Sequence, residues 1–147
     1  MITWTLKSFD ALTPHELYAI LQLRNEVFVV EQQCVFQDAD NKDQLSWHIM
    51  GTEGASLVAY TRLVPPGVSF AGPAIGRVVT AASVRSRGVG RDLMEYAIAQ
   101  CHALFGSRPI RIGAQLYLKK FYTSFGFRPD SDIYLEDGIQ HIEMILS

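Results

Sequence analysis

Apolar and polar residues alternate with a period of two along ITWTLKSF (residues 2–9), which predicts a half-buried first strand. The period then changes. Thr13, Pro14 and Glu16 predict a helix start, with a capping box and proline in the first turn, and Leu17, Ile20, Leu21 and Phe28 follow at helical spacing, Val27 alongside. A polar stretch, QDADNKDQ, separates this helix from two alternating runs, SWHIMGT and ASLVAYTRLV, which read as a hairpin turned at Glu53-Gly54. PPGVSFAGP holds too much proline and glycine for a central strand, whereas AIGRVVTA after it is a short apolar strand.

Val89, Leu93, Ala97, Cys101 and Leu104 fall on one face of a second helix. PIRIGAQ predicts a strand and LYLKKFYTSF a helix closed by Gly126; DIYLED and HIEMILS are two final strands. The order is therefore β-α-β-β-β-α-β-α-β-β. Alternation of helix and strand calls for some parallel pairing and the hairpins for antiparallel pairing, which together predict an α/β (α+β) fold with a mixed, twisted sheet and helices on both faces. Length agrees, since 147 residues without repeats or an interior linker make one domain, 1–147. The closing HIEMILS strand is expected to be exposed, and so to offer an edge for a homodimer.

Composition narrows the class. A 48% hydrophobic, 19% charged chain with a formal charge of −2 is globular, and it is not a nucleic-acid binder working through overall positive charge. No leader pattern opens the chain and no apolar run reaches membrane-spanning length, so a cytoplasmic location without membrane contact is expected. Cys34 and Cys101 are far apart and read as free thiols, and the four histidines lack metal-ligand spacing, so no metal is assigned.

Against this mildly acidic background, VRSRGVGRDLM places Arg85, Arg87 and Arg91 around Gly88 and Gly90 where the second helix begins. Unpartnered N–H groups and the positive end of the helix dipole favour an anion there, and glycines allow close approach to the backbone. A P-loop is excluded because no Lys-Ser or Lys-Thr follows, and the dinucleotide fingerprint fails at Leu93. The residues alone leave open whether the loop cradles a phosphate or only turns the chain.

Arg85-Ser86-Arg87-Gly88-Val89-Gly90 resembles the R/Q-x-x-G-x-G/A pyrophosphate loop of the GNAT acyl-CoA N-acyltransferase superfamily. GAQLYLKKFYTSFGF is similar to that family's second segment, and LRNEVFVVEQQC, Trp47-His48 and YLEDGIQH resemble its ElaA-like branch. This chain departs from the branch with Gln140 before His141, and from many family members with Gln115 in place of asparagine. The resemblance implies a mostly antiparallel sheet of about seven strands, and transfer of an acetyl group from acetyl-CoA to a primary amine on a small molecule or peptide. It implies contacts to acetyl-CoA from Val78, Val79, Thr80, Arg85, Arg87, Gly88, Val89, Gly90, Arg91, Gln115 and Tyr122. Tyr122 would be the general acid that protonates the departing thiolate, as a phenol can.

The base is left open among Glu31, His48, Glu136 and His141, or a water relay using two of them, and all four are candidate contacts to the acceptor. Asp38, Asp40 and Asp43 are expected to lend acidic charge to the mouth. Two rivals to the enzyme are an acyl-CoA-binding sensor without turnover and a nucleotide-binding transferase.

Overall fold

The computed structural model describes residues 1–147. Its eight strands are β1 (Thr3–Ser8), β2 (Trp47–Glu53), β3 (Ser56–Val64), β4 (Ala74–Thr80), β5 (Ile110–Gln115), β6 (Arg128–Pro129), β7 (Tyr134–Glu136) and β8 (Ile139–Leu146). They form one sheet in the order β1-β2-β3-β4-β5-β8-β6, with β7 also on β8. Every pairing is antiparallel except β4 with β5. The strand absent from the sequence reading is β6, two residues that include Pro129 at a sheet edge, where a missing N–H is tolerated. The expectation of an exposed closing strand is corrected. β8 pairs with β5 on one side and with β6 and β7 on the other, so it has no free edge to offer a second copy.

Helix α1 (Pro14–Arg24) starts as its sequence dictates. Thr13 Oγ1 accepts the Glu16 N–H at 3.1 Å, and Glu16 Oε1 accepts the Thr13 N–H at 2.8 Å. Beyond Arg24 the helix widens into a π-helical stretch, Asn25–Glu31. Ile20, Leu23 and Val27 pack on Met50, Tyr60 and Val79, which are on one face of the sheet. On the other face α2 (Val89–Phe105) buries Leu93, Met94, Ala97 and Cys101 against Ile49, Leu63, Ile75, Ile110 and Met144. The short α3 (Lys119–Thr123) adds Tyr122 to that core.

Two features of β4 open the sheet. Tyr60 pairs with Val79 and Arg62 with Gly76, so three steps on β4 answer two on β3. The resulting bulge puts Arg77 at φ +52°, and it turns Ile75 and Val79 to opposite faces although they are four residues apart. Thr61 pins it by donating its hydroxyl to the Gly76 carbonyl at 2.8 Å. The second feature is that β4 and β5 share one rung, Ala74 with Arg111, and part beyond it. The sheet thus divides into two wings with a cleft between them.

The loop after the π-helical stretch is held by charge. Arg24, fully buried, donates to Asp38 and Asp43, each at 2.7 Å. Arg62 pairs with Asp40 and Asp43, and Arg77 with Asp38 at 2.9 Å and Asp40 at 3.3 Å. The acidic mouth expected from the sequence is thereby corrected, because three arginines neutralise the three aspartates and tie the loop to α1, β3 and β4. Burial alone would raise the Asp40 and Asp43 carboxyls, but their arginines outweigh it and hold both below the usual carboxylate range.

A carboxyl lowered on folding stabilises the fold above its unfolded pKa, about 4, and loses that contribution as pH falls through the folded value. The melting temperature is therefore expected to be nearly level from pH 7 to 5 and to drop below about pH 4. Calorimetry across that range checks this, and the Asp40→Asn variant should show a shallower acid slope.

Candidate functional site

The cleft between the wings encloses about 1290 Å³, more than a single drug-sized ligand needs. One end is built by β4 and the start of α2. Gly88 precedes α2 at φ +76°, where a side chain would be strained, and no side chain caps the helix. Its first N–H groups therefore remain available for an anion. Gly90 needs no positive φ, and a Cβ there would reach ordinary contact with Phe121 at 3.8 Å and Thr80 at 3.9 Å. Val78, Val79 and Thr80 line this end with Val89, Arg85 and Arg91.

The three loop arginines are each held differently. Arg85 pairs with Glu31 and also donates to the Thr80 carbonyl at 3.0 Å. Arg91 lies over the Phe125 ring and donates to Ser124 Oγ at 2.9 Å. Arg87 turns away to Glu53 of the β2–β3 hairpin, at 2.6 Å, and does not line the cleft.

Tyr122 faces the same cleft from α3, 5% exposed, with its ring edge-on to Phe121 and Phe127. Burial, with a smaller effect from Tyr117, pushes its phenol above the usual value, so it stays protonated at neutral pH. Across from it, Gln115 at the end of β5 makes a reciprocal amide pair with Gln32, at 3.1 and 3.2 Å. Both residues line the cleft, and the pair joins the two wings. Gln32 escaped the sequence reading because nothing local marks a glutamine whose partner is 83 residues away.

The other end is walled by β7, β8 and the 32–43 loop. Glu136 and His141 line it, with His141 Nε2 3.6 Å from the Glu136 carboxylate. Cys34 Sγ donates to the Asp137 carbonyl at 3.2 Å, which joins the loop to the β7–β8 turn. His48 is elsewhere. It is fully buried behind Tyr60, with Nε2 donating to the Asp43 carbonyl at 2.9 Å and Nδ1 accepting from the Tyr60 hydroxyl at 2.7 Å. Burial, reinforced by Arg24 and Arg62, lowers its pKa, so it is a neutral structural histidine outside the cleft.

A family model described as an acetyltransferase (GNAT) domain matches residues 16–147. The chain belongs to the GNAT acyltransferase family. Among GNAT relatives, protein ElaA of Escherichia coli is 41% identical over 146 residues, covering 98% of this chain and 95% of that one. Its crystal structure superposes with a TM-score of 0.94, covering 100% of both chains. A Pseudomonas aeruginosa acyl-CoA N-acyltransferase is 40% identical with a TM-score of 0.96, again over 100% of both chains. The GNAT fold extends to distant proteins: an Elizabethkingia anophelis GNAT acetyltransferase with acetyl-CoA bound has a TM-score of 0.67 at 16% identity, covering 99% of this chain and 97% of that one. No helix is long and apolar enough to cross a membrane.

Proposed function

We propose that this GNAT protein transfers an acetyl group from acetyl-CoA to a primary amine carried by a small molecule or peptide. The observation that carries the reading is the uncapped N-terminus of α2, opening through Gly88 onto a cleft lined by Arg85 and Arg91. That donor set fits a pyrophosphate: backbone N–H groups, the helix dipole and two guanidinium groups. The β4 bulge fits the remainder, since a bulged strand beside a parted neighbour leaves polar backbone groups free to bind amide and carbonyl groups. Val78, Val79 and Thr80 would provide those contacts.

When bound, acetyl-CoA supplies an activated thioester, so no covalent enzyme intermediate is needed. Tyr122 would donate its proton to the departing sulfur. Burial keeps its phenol protonated at neutral pH, so the proton is present to give, and no protein group occupies its hydroxyl. Gln115 would meet the cofactor only after releasing Gln32, which makes the amide pair a closure over the middle of the cleft. Arg87, paired with Glu53 outside the cleft, would have to swing inward to take part.

Thermal unfolding tests the reading. Acetyl-CoA at about 100 times its Kd should stabilise the fold by about 2.7 kcal/mol, a rise in melting temperature of roughly 5–10 °C, with ATP giving none. Product detection by mass spectrometry across a panel of primary amines then separates an enzyme from a sensor. No shift with millimolar acetyl-CoA would refute the anion cradle.

A further inference from the structure

An alkyl ammonium must lose a proton before its nitrogen can attack, and the four proton acceptors weighed from the sequence have different surroundings. Glu31 is committed to an ion pair with Arg85. His48 has both ring nitrogens engaged in the core. Glu136 has a side chain 59% exposed and thus well solvated. His141 is 7% exposed, lines the cleft, and has a ring position fixed from two sides. The Tyr134 ring stacks on it at 5.8 Å, and Nδ1 lies 2.8 Å from the Ile139 carbonyl.

That last contact decides the tautomer. A carbonyl oxygen only accepts, so Nδ1 carries the hydrogen and neutral Nε2 carries the lone pair. Nε2 has no hydrogen-bond partner in the chain and lies 3.6 Å from the Glu136 carboxylate.

We propose that His141 Nε2 takes the proton from the acceptor amine, with the Ile139 carbonyl setting its tautomer. The proposal rests on the transferase reading above. One N–H bond of the ammonium breaks, its electron pair stays on nitrogen, and the proton bonds to Nε2. The imidazolium returns that proton to solvent through the open end of the cleft. The nitrogen's second lost proton balances the one Tyr122 gives to sulfur.

The charged and titratable groups on the surrounding elements are Glu136 and Tyr134 on β7, Asp137 in the turn, and Glu143 on β8, which Arg111 of β5 neutralises at 3.0 Å. From the loop come Cys34, beside Asp137, and Asp40, held by Arg62 and Arg77, with Lys42 at the same end. Glu136 and Asp137 have no arginine or lysine partner, so this corner favours a cation.

The His141→Gln variant tests the proposal, with kcat/KM compared for the primary alkylamine that the wild type acetylates fastest and for the hydrazide of the same skeleton, which is already unprotonated at neutral pH. The variant should lose about 10²–10⁴-fold with the alkylamine and under about tenfold with the hydrazide, and keep its stabilisation by acetyl-CoA. Equal losses for both acceptors, or none, would overturn the assignment and leave the transferase reading standing. A wild type that binds acetyl-CoA and acetylates no amine would overturn that reading and the base with it. Nitrogen-15 NMR of the wild-type histidines gives a readout independent of turnover. Neutral His141 should carry its hydrogen on Nδ1, and an Nε2–H neutral form would refute the proposal.

Discussion

Arg24→Met is expected to lower the free energy of unfolding by about 3–5 kcal/mol. Methionine fills much of the same volume, so the loss would come from charge. Asp38 and Asp43 would remain buried with only Arg77 and Arg62 to compensate them, and removing one partner from a buried pair costs far more than the pair contributes over an apolar substitute. For a chain of this size the melting temperature should fall by roughly 6–20 °C. Differential scanning calorimetry at pH 7 measures it. Arg24→Met combined with Asp43→Asn should recover part of the loss, because the stranded charge is gone; no recovery would mean that arginine packing, rather than ion pairing, holds the loop. The same anchor has a consequence for the cleft. Asp40 and Lys42 form its acceptor-end wall, so loosening the loop should raise the KM for the amine more than that for acetyl-CoA.

Arg24 also explains where sequence reading succeeded and where it stopped. The buried face of α1 is Ile20, Leu23, Arg24 and Val27, with helical spacing and an arginine at its centre. That arginine blurs the apolar stripe: the spacing through Leu17, Ile20, Leu21, Val27 and Phe28 finds Ile20 and Val27 and misses Leu23, while Leu17, Leu21 and Phe28 are only partly buried. The capping box at Thr13 and the start of α2 at Gly88 were readable, and the hairpin turn to within one residue (Gly54-Ala55, not Glu53-Gly54), because each is decided by residues within a few positions of one another. Gln32 with Gln115, Arg85 with Glu31 and Arg87 with Glu53 were not, since a polar residue carries no mark of the distant one it will meet. His48 and His141 make the same point within one residue type. Both look equally available in the sequence, and only the partners of each ring separate a histidine engaged at both nitrogens from one whose Nε2 has no hydrogen-bond partner.

Tyr122→Phe is the second change with a large expected effect, a fall in kcat of about 10²–10⁴-fold with little change in stability. The ring is buried edge-on between Phe121 and Phe127, contacts that phenylalanine keeps. What disappears is one hydroxyl with no protein partner, so no buried group is left unsatisfied and the melting temperature should stay within about 2 °C. The raised pKa of the phenol determines the pH profile. A tyrosine that must be protonated to act does not limit the rate below its folded pKa, so it should not produce a falling limb at or near pH 10. Tyr122→Phe should lower the rate across the pH range without changing the shape of the profile. Acetyl-CoA binding, followed by thermal shift, should be preserved. A variant that loses binding along with turnover would make Tyr122 a cofactor contact rather than the acid. One that keeps full kcat would leave sulfur to be protonated by water entering the cleft.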